Sequence, residues 1–110
     1  WTLLGEWRAP ALQPPKDRDF ALVLGPLVVT TDELPPSLSL TVRVDGEDRV
    51  EADAGATDWE RLRALAASGT ELRTGDLLAG PAPGAVGGLR AGARVDAAVE
   101  PIGVLGATVG

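Results

Sequence analysis

Cysteine, histidine and methionine are absent from the 110 residues of this chain. Without cysteine it cannot form disulfides, thiolate nucleophiles, Cys-bound zinc sites or iron–sulfur clusters. Without histidine it cannot build a Ser-His-Asp site, a Cys-His site or a His-ligated metal from its own residues. Polar chemistry therefore depends on carboxylates, arginines, hydroxyls, backbone groups and the single lysine, Lys16.

Positive charge is also scarce, since 10 basic residues face 16 acidic ones and the formal net charge is −6. No clustered basic stretch is present, which argues against nucleic acid or an anionic membrane as a partner. The longest apolar runs, such as 21–29, fall far short of the roughly 20 residues that a membrane span requires. No signal-peptide pattern is present either, so we expect a soluble, cytoplasmic protein.

The size and hydropathy of the chain predict one folded domain over residues 1–110. Apolar residues make up 45% of the sequence, enough for a buried core and too many for a disordered acidic segment. Because the sequence starts at Trp1 and contains no methionine, we expect it to be the C-terminal part of a longer polypeptide that also contains an upstream part of the domain.

Apolar and alternating stretches predict short strands separated by turns. Residues 1–18 are predicted to be irregular because three prolines interrupt them, and residues 20–30 to form one bent strand or two around a Gly-Pro turn. Residues 38–44 alternate apolar and polar side chains, as a half-buried strand does. Asp45-Gly46 then predicts a tight hairpin turn, with residues 49–51 returning antiparallel.

One helix is predicted, from Asp58 to Ala67. Thr57 and Glu60 have the spacing of a capping box, and Ser68-Gly69 ends the segment. The predicted apolar stripe of this helix consists of Trp59, Leu62, Leu65 and Ala66.

The C-terminal third predicts further turns and strands. Residues 72–77 and 89–95 share the pattern Leu-Arg-x-Gly, and each is predicted to be a turn that leads into a strand. The Gly- and Pro-rich stretch 80–88 between them fits either a loop facing a ligand or a tight connection. Residues 95–99 alternate again, and Pro101 and Gly103 bend the chain into a last strand. With six to eight strands and one short helix, the predicted class is α+β, predominantly β, as a mixed or antiparallel β roll.

Five short motifs follow one another along the chain. They are Gly-Glu-Trp-Arg-Ala-Pro-Ala-Leu-Gln at 5–13, Arg-Asp-Phe at 18–20, Gly-Pro at 25–26 with Thr-Thr-Asp-Glu-Leu at 30–34, Val-Asp-Gly-Glu at 44–47, and Gly-Asp-Leu-Leu-Ala-Gly-Pro-Ala-Pro-Gly-Ala-Val-Gly at 75–87 with Ile-Gly-Val-Leu at 102–105. In this order and at these separations they resemble the C-terminal catalytic domain of the fumarylacetoacetate hydrolase (FAH) family.

The resemblance implies a β-roll fold, a homodimer and a divalent cation, Mg²⁺ or Mn²⁺, held by carboxylates. It also implies a 2-oxo or diketo acid as substrate, which such enzymes hydrolyse, decarboxylate or isomerise through an enolate. A hard cation prefers oxygen ligands and stabilises developing negative charge as a Lewis acid, so this chemistry suits a chain without histidine or cysteine.

Carried over residue by residue, the resemblance places the family's metal-binding aspartate on Glu6, and further metal-binding glutamates would lie upstream of Trp1. The family's catalytic lysine falls on Arg18, which keeps the positive charge but cannot act as a base. Gln13 and Lys16 are the implied substrate-binding residues. The family's substrate-contacting Thr-Gly-Thr-Pro loop becomes Gly-Pro-Ala-Pro, so Ala82 stands at a substrate position without a hydroxyl.

Other family positions are also replaced, because the expected Arg and second Asp of the first motif fall on Pro10 and Ala11. Two hypotheses follow. In the first, the chain belongs to a metal-dependent enzyme that hydrolyses, decarboxylates or isomerises a 2-oxo or diketo acid, and the replaced positions leave open whether its activity is retained or lost. In the second, it is a catalytically inactive domain that acts in dimerisation or scaffolding.

Each candidate residue also has a structural interpretation. Glu6 fits either a metal ligand or a solvated loop carboxylate, and Arg18 fits either an oxo-acid anchor or a surface arginine that pairs with a neighbouring aspartate. Asp32 and Glu33 are assigned no chemistry, because acids commonly occupy such turns. Trp59 is expected in the core, and Trp7 could wall a pocket.

Overall fold

The computed structural model describes residues 1–19 and 21–110, so Phe20, the last residue of the second motif, lies outside the described residues. The elements are strands β1 (Leu4–Trp7) and β2 (Ala21–Leu24), a 3-10 helix (Thr31–Glu33), strands β3 (Ser39–Val44) and β4 (Glu47–Asp53), helix α1 (Trp59–Ala66), and strands β5 (Arg94–Val99) and β6 (Gly103–Thr108). The predicted α+β, predominantly β class is confirmed.

The strands form two sheets. The larger sheet has the order β4-β3-β5-β6, and the smaller one pairs β1 with β2. Every strand pair in the described part of the chain is antiparallel, so of the two predicted alternatives the antiparallel one is observed. The sheets approach each other at Gly5, where a Cβ would lie 3.5 Å from the Leu105 side chain.

The predicted hairpin at Asp45-Gly46 is confirmed. Both residues have positive φ, 53° and 87°, as a two-residue type I′ turn requires. The register then shifts between Val42 and Arg43, because Val42 pairs with Val50 while Arg43 pairs with Asp48. Arg49 is therefore an extra residue in β4, which makes this strand bulged.

Three strand predictions are wrong. Residues 1–18 are not wholly irregular, because Leu4–Trp7 pairs with Ala21–Leu24, and this distant partner stabilises a strand that local sequence does not favour. Residues 27–30 follow β2 without joining a sheet. The turn at Thr74-Gly75 forms, but no strand follows it in residues 76–93.

The predicted helix is confirmed, but its predicted cap is wrong. Asp58 is the N-cap, and its Oδ1 accepts a hydrogen bond from the Arg61 backbone N–H at 3.0 Å, so the cap lies one residue later than a Thr57–Glu60 capping box would place it. Leu65 does not join the apolar stripe and is 70% exposed. In the described residues, no helix is both long and apolar enough to cross a membrane.

The core lies on one face of the larger sheet. Its buried cluster consists of Leu38, Leu40, Val42, Val99 and Ile102. The N-terminal segment packs against this cluster through Trp1 and Leu3, and the Trp1 ring meets Trp59 of α1 edge-on, with ring centroids 4.8 Å apart. Trp59 is therefore partly buried beside the core, as expected for a structural tryptophan.

Replacing a core leucine should cost far more stability than replacing an exposed one. Leu40 is 7% exposed and Leu65 is 70% exposed. We expect Leu40→Ala to lower the free energy of unfolding by about 2–4 kcal/mol, because it removes buried methyl groups and leaves a cavity. The matched control Leu65→Ala should change it by less than about 0.5 kcal/mol. Urea denaturation of both variants measures the difference, and equal losses would contradict this position of the core.

The hairpin turn gives a second stability prediction. Gly46 has a φ of 87° and open space where a Cβ would lie, so Gly46→Ala introduces backbone strain without a clash. We expect a loss of about 1 kcal/mol. Gly87, which also has open space but no positive φ, supplies the control, and Gly87→Ala should be neutral or slightly stabilising. Thermal unfolding measures the stability of both variants, and an equal change in the two would contradict the assigned turn.

Candidate functional site

Strand β1 positions the predicted metal ligand, Glu6, opposite Leu22 of β2. Its carboxylate does not lie free. Oε1 accepts a hydrogen bond from Nε of Arg8 at 3.1 Å and lies 3.0 Å from Nη2 of the same guanidinium. Arg8 directly follows β1 and is two positions from Glu6, so this ion pair joins neighbours in the sequence. The Glu6 side chain is 44% exposed, and such surface pairs contribute only about 0–1 kcal/mol.

The predicted cationic residues are also paired with near neighbours. Lys16 Nζ lies 2.7 Å from Oδ2 of Asp19, and Arg18 Nε lies 3.5 Å from Oδ2 of Asp17. Both cationic side chains are about 70% exposed (69% and 71%). Local pairing of this kind leaves little net positive charge to attract an anionic substrate.

The turn that carries Gln13 and Lys16 is closed by backbone hydrogen bonds. The Gln13 carbonyl accepts from Lys16 N–H at 2.9 Å, and the Asp17 carbonyl accepts from Ala9 N–H at 3.0 Å. Gln13 itself is exposed. Asp17 is the more enclosed residue, since its Oδ1 is buried and has no hydrogen-bond partner in the described residues. The sequence interpretation considered Asp17 only as a partner for Arg18.

An open depression brings two of the predicted residues together. It is lined by Glu6, Arg18, Asp19, Ala21 and Leu22. Gln13, Lys16 and Ala82 are not among its lining residues, and neither is Trp7, so the predicted pocket wall is not observed. Sequence reasoning assigns no site role to three of the lining residues, Asp19, Ala21 and Leu22, and the only signal for Asp19 is its place beside Arg18 in the second motif.

The loop 80–88 makes structural contacts. A Cβ on Gly80 would lie 2.8 Å from Cη2 of Trp59, and one on Gly84 would lie 2.5 Å from Cγ1 of Val50. Val86 packs against the buried cluster. The glycines of this loop therefore allow it to cross closely over α1 and the sheet, and Ala82 is exposed between them. Of the two predicted alternatives, these contacts favour a tight connection.

The available donors do not fit a divalent-cation site built by the described residues. No group of three His, Cys, Asp or Glu side chains in 1–19 and 21–110 is placed to hold a metal ion. The Glu6 carboxylate is bonded to Arg8, and the unpartnered Oδ1 of Asp17 belongs to a residue that does not line the depression. Magnesium normally uses one or two carboxylates with further oxygen ligands in octahedral geometry.

Hydrogen bonds from the Thr30 side chain and from its own backbone hold the pKa of the Asp32 carboxyl below its usual value. Asp32 belongs to the exposed 3-10 helix and lies outside the lining of the depression. The depression brings together one guanidinium, that of Arg18, and two carboxylates, those of Glu6 and Asp19, and each of these groups lies in an ion pair with a residue close in sequence.

Comparison with known protein families gives a match over most of the chain. The family model described as "Fumarylacetoacetate (FAA) hydrolase C-terminal" matches residues 5–110. No curated protein and no solved structure matches the chain. The match spans all five motifs and every described element except the first residue of β1, so this chain belongs to the fumarylacetoacetate hydrolase family and corresponds to the C-terminal domain of that family.

Proposed function

We propose that this chain is an FAH-family domain that keeps the family's shape and does not itself assemble a metal-dependent active site. One observation carries the proposal. The carboxylate to which the family resemblance assigns metal binding, Glu6, accepts a hydrogen bond from Nε of Arg8 at 3.1 Å and lies 3.0 Å from Nη2 of the same guanidinium. A cation at this position would have to displace a neighbouring positive charge and find its other ligands elsewhere.

The substituted positions support the same proposal. Pro10 and Ala11 stand where the family has Arg and Asp, so a fork of N–H donors and a negative charge are missing. Ala82 supplies no hydroxyl and is exposed. Arg18 keeps the positive charge of the family's lysine, but a guanidinium does not serve as a general base. On this proposal the domain serves as a structural or dimerisation module.

A second candidate function is an oxo-acid enzyme of the family, and a specific observation favours it. Glu6 and Arg18 line the same depression, so the two residues with the strongest family roles lie together. In this case Arg18 would hold a substrate carboxylate, and Glu6 would help to hold Mg²⁺ or Mn²⁺ with carboxylates from outside the described residues. The reaction would be hydrolysis, decarboxylation or isomerisation of a 2-oxo or diketo acid.

Calorimetric titration distinguishes the two candidates. We expect Mg²⁺ or Mn²⁺, titrated into the intact protein with oxalate as an enolate mimic, to give no saturable heat up to about 1 mM. The reason is that the proposed metal position offers one carboxylate, that of Glu6, and this carboxylate is already paired with Arg8. Circular dichroism before and after titration confirms that the protein is folded. Micromolar binding that is lost in Glu6→Ala and kept in Glu60→Ala, a change of another exposed glutamate, would instead establish the metal site.

Oxalate without metal tests the anion-binding residue. Arg18 and Arg73 are a matched pair, because both are exposed and each lies near a neighbouring acid, at 3.5 and 3.3 Å. We expect wild type, Arg18→Gln and Arg73→Gln to show equally weak affinity for oxalate, with Kd above about 1 mM, since the Arg18 charge is already compensated by Asp17. A tenfold loss of affinity confined to Arg18→Gln would favour the enzyme, and ligand-observed NMR can measure it.

A further inference from the structure

The tip of the β3–β4 hairpin carries a dipeptide that occurs once in the sequence. Asp45-Gly46 is the single Asp-Gly in the chain, and the chain contains no asparagine. At an Asp-Gly linkage the glycine nitrogen can attack the aspartate side-chain carboxyl to close a five-membered succinimide ring, because the glycine has no Cβ to hinder the approach. Isoaspartate in this chain therefore arises from aspartate alone, and most readily at Asp45.

The surroundings of the Gly46 nitrogen leave it accessible. Both residues of the tip are exposed, so water reaches them. No atom beyond its chain neighbours lies within 4 Å of the place where a Cβ on Gly46 would stand. The Gly46 N–H takes part in no backbone hydrogen bond within residues 1–19 and 21–110. The attacking atom is thus unprotected in the folded chain.

The Asp45 carboxylate, in contrast, is held by the start of β5 and the turn before it. Its Oδ1 accepts a hydrogen bond from the Arg94 N–H at 2.9 Å, and its Oδ2 lies 3.6 Å from Nη2 of Arg90. The Asp45 N–H also donates to the Arg94 carbonyl at 2.8 Å, so these two residues are joined twice. Ring closure expels one carboxyl oxygen and draws the other toward Gly46, so the contacts to Arg94 and Arg90 cannot both persist.

We propose that Asp45-Gly46 is a site of spontaneous modification, at which aspartate rearranges to isoaspartate when the contact with Arg94 opens. The carboxylate takes up a proton from solvent, the Gly46 nitrogen forms a bond to Cγ, and the proton of that nitrogen leaves with one carboxyl oxygen as water. Water then adds to the ring. It breaks either the new bond to Cγ, which restores aspartate, or the bond from the same nitrogen to the Asp45 carbonyl carbon, which gives isoaspartate.

The product does not fit the turn. Isoaspartate carries its Cβ and Cγ in the main chain, which lengthens the backbone by one atom within a two-residue turn that joins the paired residues Val44 and Glu47. Cγ keeps one oxygen, now as a main-chain carbonyl, so the carboxylate that Arg94 held is lost from this position. The modification therefore converts a reversible opening of the β3–β5 junction into a permanent one. This inference is independent of the proposed function, because no metal or substrate enters it.

Peptide mapping with electron-transfer fragmentation, which distinguishes isoaspartate from aspartate, tests the proposal. The intact protein is stored folded in buffer and unfolded in guanidinium chloride, at the same pH and temperature. We expect isoaspartate at position 45 in both samples, forming at least about tenfold more slowly in the folded protein. In unfolded Gly46→Ala, position 45 should react no faster than Asp53, which precedes Ala54 and serves as the reference in every sample.

Hydrogen exchange links the reaction to the opening of the junction. The Arg94 N–H donates to Oδ1 of Asp45, so its exchange reports how often this contact opens. We expect folding to slow isomerisation at position 45 and exchange of the Arg94 amide by the same factor, within about threefold. A larger difference between the two factors, equal isomerisation in folded and unfolded protein, or no isoaspartate at position 45 in the unfolded chain would overturn the inference.

Discussion

The pairing of β3 with β5 is the interaction on which the rest of the fold depends. It joins residues about fifty positions apart, and Asp45 secures it by donating to the Arg94 carbonyl and accepting from the Arg94 N–H. The same pairing places Val99 beside Leu40, which creates the centre of the buried cluster. The loop 80–88 packs against this sheet at Val50 and at the buried cluster, and α1 contacts that loop and Trp1 through Trp59.

The charged side chains of the candidate site form ion pairs with residues that are close in sequence. Glu6 is bonded to Arg8, Lys16 to Asp19 and Arg18 to Asp17, each within three positions along the chain. Because every one of these partners is close in sequence, the pairs form without any precise tertiary arrangement. Each pair engages a charged group to which the family resemblance assigns a role.

Much of the fold follows from local patterns. The Asp45-Gly46 dipeptide predicted the hairpin turn, the alternation of residues 38–44 predicted β3, and the spacing of apolar residues predicted α1. These predictions succeeded because a two-residue turn and the strand and helix periods depend only on neighbouring residues. β1 could not be predicted, since Leu4–Trp7 becomes a strand only by pairing with Ala21–Leu24. At the site, the motifs identified Glu6 and Arg18 but not Asp19, and they did not show that Gln13, Lys16 and Ala82 lie outside the depression.

The sequence by itself determined the family, the predominantly β class, the absence of histidine and cysteine chemistry, and the charge neighbours of each candidate residue. These properties depend on composition and on motifs whose residues are close together. Only the tertiary structure decided which residues share a surface, that the loop 80–88 lies across Trp59 and Val50, and that β6 has an uncharged outer edge while β4 is charged and bulged. The reason is that strand order and strand pairing are set by long-range contacts, which local sequence does not specify.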